Sequence, residues 1–213
     1  MRISEIFRSI QGESSFAGLP CTFVRTAGCS LRCAYCDTGY ALDKRSGEEM
    51  SLTAVLDRAC ALGVDLVEIT GGEPLEQPET PELCQRLLDL GAVVLAETSG
   101  AFPVNVLPAG VIKIMDIKTP SSRMAHRNHW ANLAVLSPRD EVKFVIADRE
   151  DFEWSVAVCQ EQGLFHHHSV LFSPSFAVLP PVQLAQWILL EKIPVRLNLQ
   201  IHKFIWEPGE RGV

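Results

Sequence analysis

Short apolar runs recur along this chain with amphipathic stretches between several of them, and that alternation limits the folds open to it. The runs Cys21–Thr26, Leu66–Thr70, Ala92–Glu97, Val111–Ile117, Glu141–Ile146, Ser169–Phe172 and Pro194–Leu199 read as strands. Leu52, Val55, Leu56 and Ala59 share one helical face behind a Ser51 cap. Thr80-Pro81 opens a second helix, with Leu83, Leu87 and Leu88 inward and Gly91 as its stop. Phe152, Val156 and Cys159 mark a third helix ended by Gly163, and Leu184, Trp187 and Ile188 a fourth ended before Pro194. Strands alternating with helices predict parallel α/β architecture, here a partial (βα) barrel. Pro120–Ser137 has a weak helical pattern, so the barrel is expected to be reduced in helix content. In such barrels, sites gather at the C-terminal ends of the strands.

The loop after the first of these strands carries Cys29-Ser-Leu-Arg-Cys33-Ala-Tyr-Cys36, a C-x3-C-x2-C run. Seven cysteines could form disulfides, but the opening residues hold no secretory apolar segment, and a chain this long and apolar does not need such a framework. Zinc is a second reading, although structural zinc takes four ligands, usually as two close pairs. Cys21, Cys60, Cys84 and Cys159 are scattered and read as small apolar residues; His166–His168 read as surface histidines. The third reading is an iron–sulfur cluster, which thiolates suit. Three local cysteines would leave one iron open to a second cofactor.

A second motif, Thr70-Gly71-Gly72-Glu73-Pro74, follows another strand, with Gly71 35 positions after Cys36. Read alone, it is either a Gly-Gly turn or a place where backbone closely approaches a ligand. The net charge of −7 and pI near 5.4 argue against nucleic-acid binding and for a small-molecule substrate. Arg25, Lys118, Arg123, Lys143, His202 and Arg211 are candidates for binding anions. No apolar run reaches the roughly 18 residues of a membrane span, so a cytoplasmic protein is expected.

With both motifs present, the chain resembles the radical S-adenosylmethionine (SAM) superfamily. The stretches Glu5–Glu13, Phe23–Cys29, Cys36–Thr38 and Leu199–Trp206 narrow the resemblance to the 7-carboxy-7-deazaguanine synthase family. It implies a radical-SAM-type barrel over residues 1–213, with short N- and C-terminal substrate-binding extensions. It implies ring contraction of 6-carboxy-5,6,7,8-tetrahydropterin to 7-carboxy-7-deazaguanine, with ammonia lost, on the queuosine-precursor route. Implied cofactors are a [4Fe-4S] cluster on Cys29, Cys33 and Cys36, SAM, and Mg2+ on Thr38. Tyr35, Cys36, Asp37, Gly72, Glu73, Asp116, Lys118 and Ser173 are implied at SAM, and Glu97 near it. Asp116 stands where some relatives have Ser. Ile10, Gln11, Gly12, Glu13, Arg25, Thr70, His202 and Val213 are implied at the pterin. No residue is singled out as catalytic, because cluster and SAM carry the radical chemistry. A flavodoxin- or ferredoxin-type electron donor and a homodimer complete the expectation. The rival readings are a glycyl-radical enzyme activase and a non-catalytic metal-binding interaction module.

Overall fold

The computed structural model describes residues 1–63 and 65–213. Among them, nine strands form one sheet. They are β1 (Arg2–Ile10), β2 (Pro20–Thr26), β3 (Glu48–Glu49), β4 (Leu66–Gly71), β5 (Val93–Thr98), β6 (Ile112–Ile117), β7 (Glu141–Ile146), β8 (Ser169–Pro174) and β9 (Arg196–Leu197). Their order is β3-β1-β2-β4-β5-β6-β7-β8-β9. From β2 to β9 every pairing is parallel; β1 runs antiparallel to β2 and β3. This is the expected partial barrel, with each predicted strand in place. The sequence reading did not include β1, whose polar, half-buried pattern lacks the continuous apolar signal of the inner strands.

The crossovers explain the low helix content. Four carry α1 (Leu52–Cys60), α2 (Thr80–Asp89), α3 (Arg149–Glu161) followed by the short α4 (Leu164–His167), and α5 (Pro181–Glu191). Ser51 caps α1 by accepting from the Ala54 N–H, and Asp148 caps α3 through the Asp151 N–H. The β5–β6 and β6–β7 connections contain only 3-10 turns, including Trp130–Val135. Buried Asn132 stands in for a helix there: Oδ1 accepts from the Val104 N–H, while Nδ2 donates to the Gly100 and Phe102 carbonyls. One side chain thus satisfies backbone groups that a helix would have paired internally.

The strands alternate with period two. Val67 and Ile69, Val94 and Ala96 pack outward with α1 and α2; Val142, Phe144, Val170 and Phe172 do so with α3 and α5. The other face carries Arg25, Glu68, Thr70, Glu97, Asp116, Lys143 and Ser173 around a cavity. Below them Leu95, Ile112, Ile114 and Leu171 pack with Phe16 as a separate apolar plug. Cys21, Cys84 and Cys159 are buried as expected, but Cys60, last in α1, is exposed because it points off the packed face. His166 and His167 are exposed and His168 is partly covered.

Candidate active site

The cavity is about 520 Å³ and opens at the C-terminal ends of the strands. The cysteine loop after β2, the Gly71–Glu73 loop after β4 and the turn after β1 all reach it. The first two loops meet backbone to backbone. Glu73 N–H donates to the Gly28 carbonyl at 2.9 Å, Gly28 N–H to Ala41 at 2.7 Å, and Cys29 N–H to Leu42 at 3.2 Å. A Cβ on Gly72 would lie 2.7 Å from the Gly28 carbonyl carbon and 2.9 Å from the Ala41 oxygen, so only glycine permits this approach. Gly28 itself has φ +103°. The other end of the cysteine loop is pinned by Ala34 N–H to the Ser122 carbonyl, and by Tyr35, whose hydroxyl lies 3.0 Å from Thr119 Oγ1 and 3.3 Å from the Val145 carbonyl.

Cys29 is buried, Cys33 partly buried and Cys36 exposed, and all three line the cavity. Burial pushes the Cys29 thiol up to about 11 and raises that of Cys33. A metal is the natural means of ionising such thiols. Of the residues implied at SAM, Tyr35, Cys36, Asp37, Gly72, Asp116, Lys118 and Ser173 stand on the wall. Glu73 does not. Its fully buried carboxylate accepts from the Leu75 and Ser99 N–H groups and the Thr98 and Ser99 hydroxyls, so it ties β4's loop to β5's. Burial raises its pKa, and those donors oppose the rise.

The residues implied at the pterin converge as well: Ile10, Gln11, Gly12, Glu13, Arg25, Thr70, His202 and Val213 share the cavity, together with Thr38 and Glu97. His202, at the start of the short helix α6 (His202–Ile205), packs so closely on Gly12 that a Cβ there would force the imidazole to move. Arg25 Nε donates to Glu5 at 2.8 Å, and the Tyr40 hydroxyl donates to the same oxygen at 2.7 Å. Burial works against the Arg25 charge, but Tyr40 and Glu5 hold its pKa above the ordinary value. Glu13 accepts from Lys143 Nζ at 3.0 Å, Asn198 Nδ2 at 3.3 Å and Gln200 Nε2 at 2.8 Å. Burial, the largest single influence, would raise its pKa, but Lys143 and the Gln200 hydrogen bond together lower it.

Thr38 Oγ1 donates to Asp37 at 3.0 Å, and Lys203 Nζ to Asp37 at 2.7 Å. Lys118 Nζ donates to Asp116 Oδ2 at 2.8 Å, while Asp116 Oδ1 is buried without a partner. An acceptor left bare in a cavity wall suits a ligand that brings its own donor.

The structure adds Glu68, Asn198, Gln200 and Lys203 to the expected set. Gln11 Nε2 donates to Glu68, whose pKa is pushed well above the usual carboxylate range by burial, then by Glu97 and Glu13. Glu68 was legible in principle, as a polar residue two positions from Thr70 on the same strand face, and Lys143 stood among the anion-binding candidates. Asn198 and Gln200 carried no such signal, since β9 is only two residues long.

Comparisons agree with this arrangement. The profile described as Radical SAM superfamily matches residues 23–171. A 7-carboxy-7-deazaguanine synthase of Chlorobaculum tepidum is 46% identical over 216 residues, covering 100% of this chain and 97% of that protein. One from Koribacter versatilis is 43% identical over 228 residues, covering both chains fully at 100%. The crystal structure of QueE from Escherichia coli superposes with a TM-score of 0.74, over 93% of this chain and 92% of that one; at 23% identity this likeness concerns the fold.

Proposed function

Because the chain belongs to the radical SAM superfamily, and within it to the 7-carboxy-7-deazaguanine synthase family, we propose specific roles for its cavity residues in that family's ring contraction. The enzyme converts 6-carboxy-5,6,7,8-tetrahydropterin to 7-carboxy-7-deazaguanine with loss of ammonia, in 7-deazapurine biosynthesis. The observation that carries the residue assignments is the meeting of the cysteine loop, the Gly71–Gly72 loop and the Glu13 turn around one cavity.

The chemistry of the donor set fits a [4Fe-4S] cluster: three cysteines line one cavity, on a loop pinned at both ends, although among the described residues their thiols are not gathered into a ready-made metal-binding group. Cys29, Cys33 and Cys36 would hold it, and the bound cluster and SAM would supply carbon-radical chemistry for hydrogen abstraction. The chain's own residues bind and orient. Gly72 lets the SAM-binding loop seat against the cysteine loop; Glu73 braces that loop from behind rather than touching the cofactor with its carboxylate. Tyr35, Cys36, Asp37 and Ser173 border SAM, Lys118 meets its carboxylate, and the bare Asp116 Oδ1 accepts from one of its donors. Glu97 stands nearby, bonded by the Thr70 hydroxyl at 3.3 Å.

On the pterin side, Glu13 accepts the two adjacent N–H groups of the 2-amino-pyrimidinone edge. Ile10, Gln11, Gly12, Thr70 and His202 complete that wall, and Val213 closes it. Arg25, with Nε committed to Glu5, turns its remaining donors to the pterin carboxylate. Thr38 offers a hydroxyl beside Asp37 for Mg2+, which takes few protein ligands and keeps waters or substrate oxygens. Positioning and fixed charge are thus the protein's contribution. This reading treats residues 1–213 as one radical SAM domain with short substrate-binding extensions, working as a cytoplasmic homodimer with a flavodoxin- or ferredoxin-type donor. Among the described residues no helix is long and apolar enough to cross a membrane.

The test is anaerobic reconstitution, then incubation with SAM, Mg2+, reductant and the carboxypterin. Production of 7-carboxy-7-deazaguanine without stoichiometric 5′-deoxyadenosine is expected. Cleaved SAM with the pterin untouched would refute the substrate reading. Colourless zinc-loaded protein would refute the cluster.

A further inference from the structure

β7 places Lys143 in the polar face of the sheet, with its side chain 5% exposed. Its Nζ lies 3.0 Å from Glu13 Oε2, bonds Glu97, and stands 4.0 Å from Asp116 Oδ2. These carboxylates come from three elements: the turn after β1, the end of β5 and the end of β6. Among the described residues Lys143 is the only cation paired with Glu13. Arg25, on β2, is engaged by Glu5.

We infer that Lys143 is a positioning residue: it holds the Glu13 carboxylate aligned as a hydrogen-bond acceptor for the pterin's 2-amino-pyrimidinone edge. The inference rests on the substrate reading above. Glu13 must accept two N–H groups to recognise that edge, and a protonated carboxyl loses acceptor capacity. The charged or titratable groups facing Glu13 are Lys143 from β7, Asp37 from the cysteine loop, Glu68 from β4 and His202 from α6. Those facing Lys143 are Glu13, Glu97, Asp116 and Glu68. Asn198 and Gln200 donate to Glu13 as neutral amides. Without Lys143, burial, the largest influence, and Asp37 push Glu13 toward its protonated form, and the Gln200 hydrogen bond is left to oppose them.

The sign follows. In Lys143→Met, Glu13 is protonated at low pH, so pterin affinity is poorest there and recovers as pH rises through the raised Glu13 pKa. In the wild type, Glu13 is already ionised and affinity is flat over the same range. A purely structural role for Lys143 would weaken binding by one factor at every pH.

The experiment is calorimetric titration of 6-carboxy-5,6,7,8-tetrahydropterin into cluster-loaded, Mg2+-loaded enzyme without reductant, between about pH 6 and 8.5. Cluster absorbance and the thermal midpoint check the integrity of each variant. Lys143→Met should weaken binding roughly thirty-fold or more near neutrality, with the gap narrowing as pH rises. Lys143→Arg, which keeps the charge, should restore a flat profile. In a Glu13→Gln background, Lys143→Met should no longer add a pH slope. Wild-type-like binding by a folded Lys143→Met, or a loss independent of pH, overturns the assignment; where Lys143→Met does not fold, Lys143→Gln takes its place under the same criterion. A wild type that fails to bind the pterin overturns the substrate reading, and this inference with it.

Discussion

Replacing Gly72 by alanine tests the claim that the Gly71–Glu73 loop and the cysteine loop are one packed unit. The added methyl would sit 2.7 Å from the Gly28 carbonyl carbon and 2.9 Å from the Ala41 oxygen, and closer still to the Gly28 oxygen. All three are backbone atoms, so no side chain can swing aside. Relief requires Gly28 to retreat, which stretches Glu73 N–H to Gly28 at 2.9 Å and Gly28 N–H to Ala41 at 2.7 Å. Each lost backbone bond costs about 0.5–1.5 kcal/mol. Overpacking adds about 1–3 kcal/mol. The sum is about 2–6 kcal/mol, and for a chain of this size each 1 kcal/mol lowers the melting midpoint by about 2–4 °C. Gly72→Ala apoprotein should therefore melt roughly 10 °C below wild type. Because Cys29 follows Gly28, anaerobic reconstitution should also leave it with less iron and sulfide per chain. Gly209→Ala, where a Cβ meets nothing within 4 Å, is the control and should melt as wild type does. A Gly72→Ala protein that melts within about 2 °C of wild type and takes a full cluster would refute the packing argument.

Other perturbations separate burial from charge. Glu68 has a folded pKa well above its unfolded value, so its contribution to stability is full at low pH and is lost as pH rises through the folded pKa. Glu68→Gln keeps the acceptor for Gln11 and removes that loss. Its stability advantage in urea titrations should be nil at acid pH and grow by about 1.4 kcal/mol per pH unit above the unfolded value; a constant difference would count against the assignment. Asp151 is fully buried and accepts from the Ser121 and Ala147 N–H groups at 2.9 and 3.0 Å. Asp151→Ala should cost about 2–5 kcal/mol by orphaning both, against about 1 kcal/mol for Asp148→Ala at the helix cap. Equal losses in thermal melts would disprove the distinction. Arg25→Lys removes the planar fork and should raise KM for the carboxypterin roughly ten-fold with a smaller effect on kcat, whereas an unchanged KM would move the pterin carboxylate elsewhere.

The strands were legible because each inner strand of a parallel sheet must be apolar on its outer face, and runs such as Val67–Ile69 and Val142–Ile146 show it. The capped helices were legible because Ser51 and the Thr80-Pro81 pair are local signals. The strand β1 was not, since half its residues face solvent or neighbours unlike an inner strand's. Of the two helix-free crossovers only the β6–β7 one had a signal, the weak helical pattern of Pro120–Ser137; the stabilising element of both, the Asn132 side chain, reaches back about 30 residues to the Gly100–Val104 backbone.

Sequence alone determined the chemistry on offer: three thiols in one short loop, two glycines after a strand, and a carboxylate and a guanidinium upstream of the cysteines. Spacing and residue type carry that information because both act locally. Tertiary structure decided which polar groups spend themselves on one another. It turned the Glu73 carboxylate inward onto Ser99, left Asp116 Oδ1 bare, and brought Lys143 across 130 residues to Glu13. Those outcomes depend on which strand faces share the inside of the barrel and on how deeply each charge is buried, and neither is a property of any local stretch of chain.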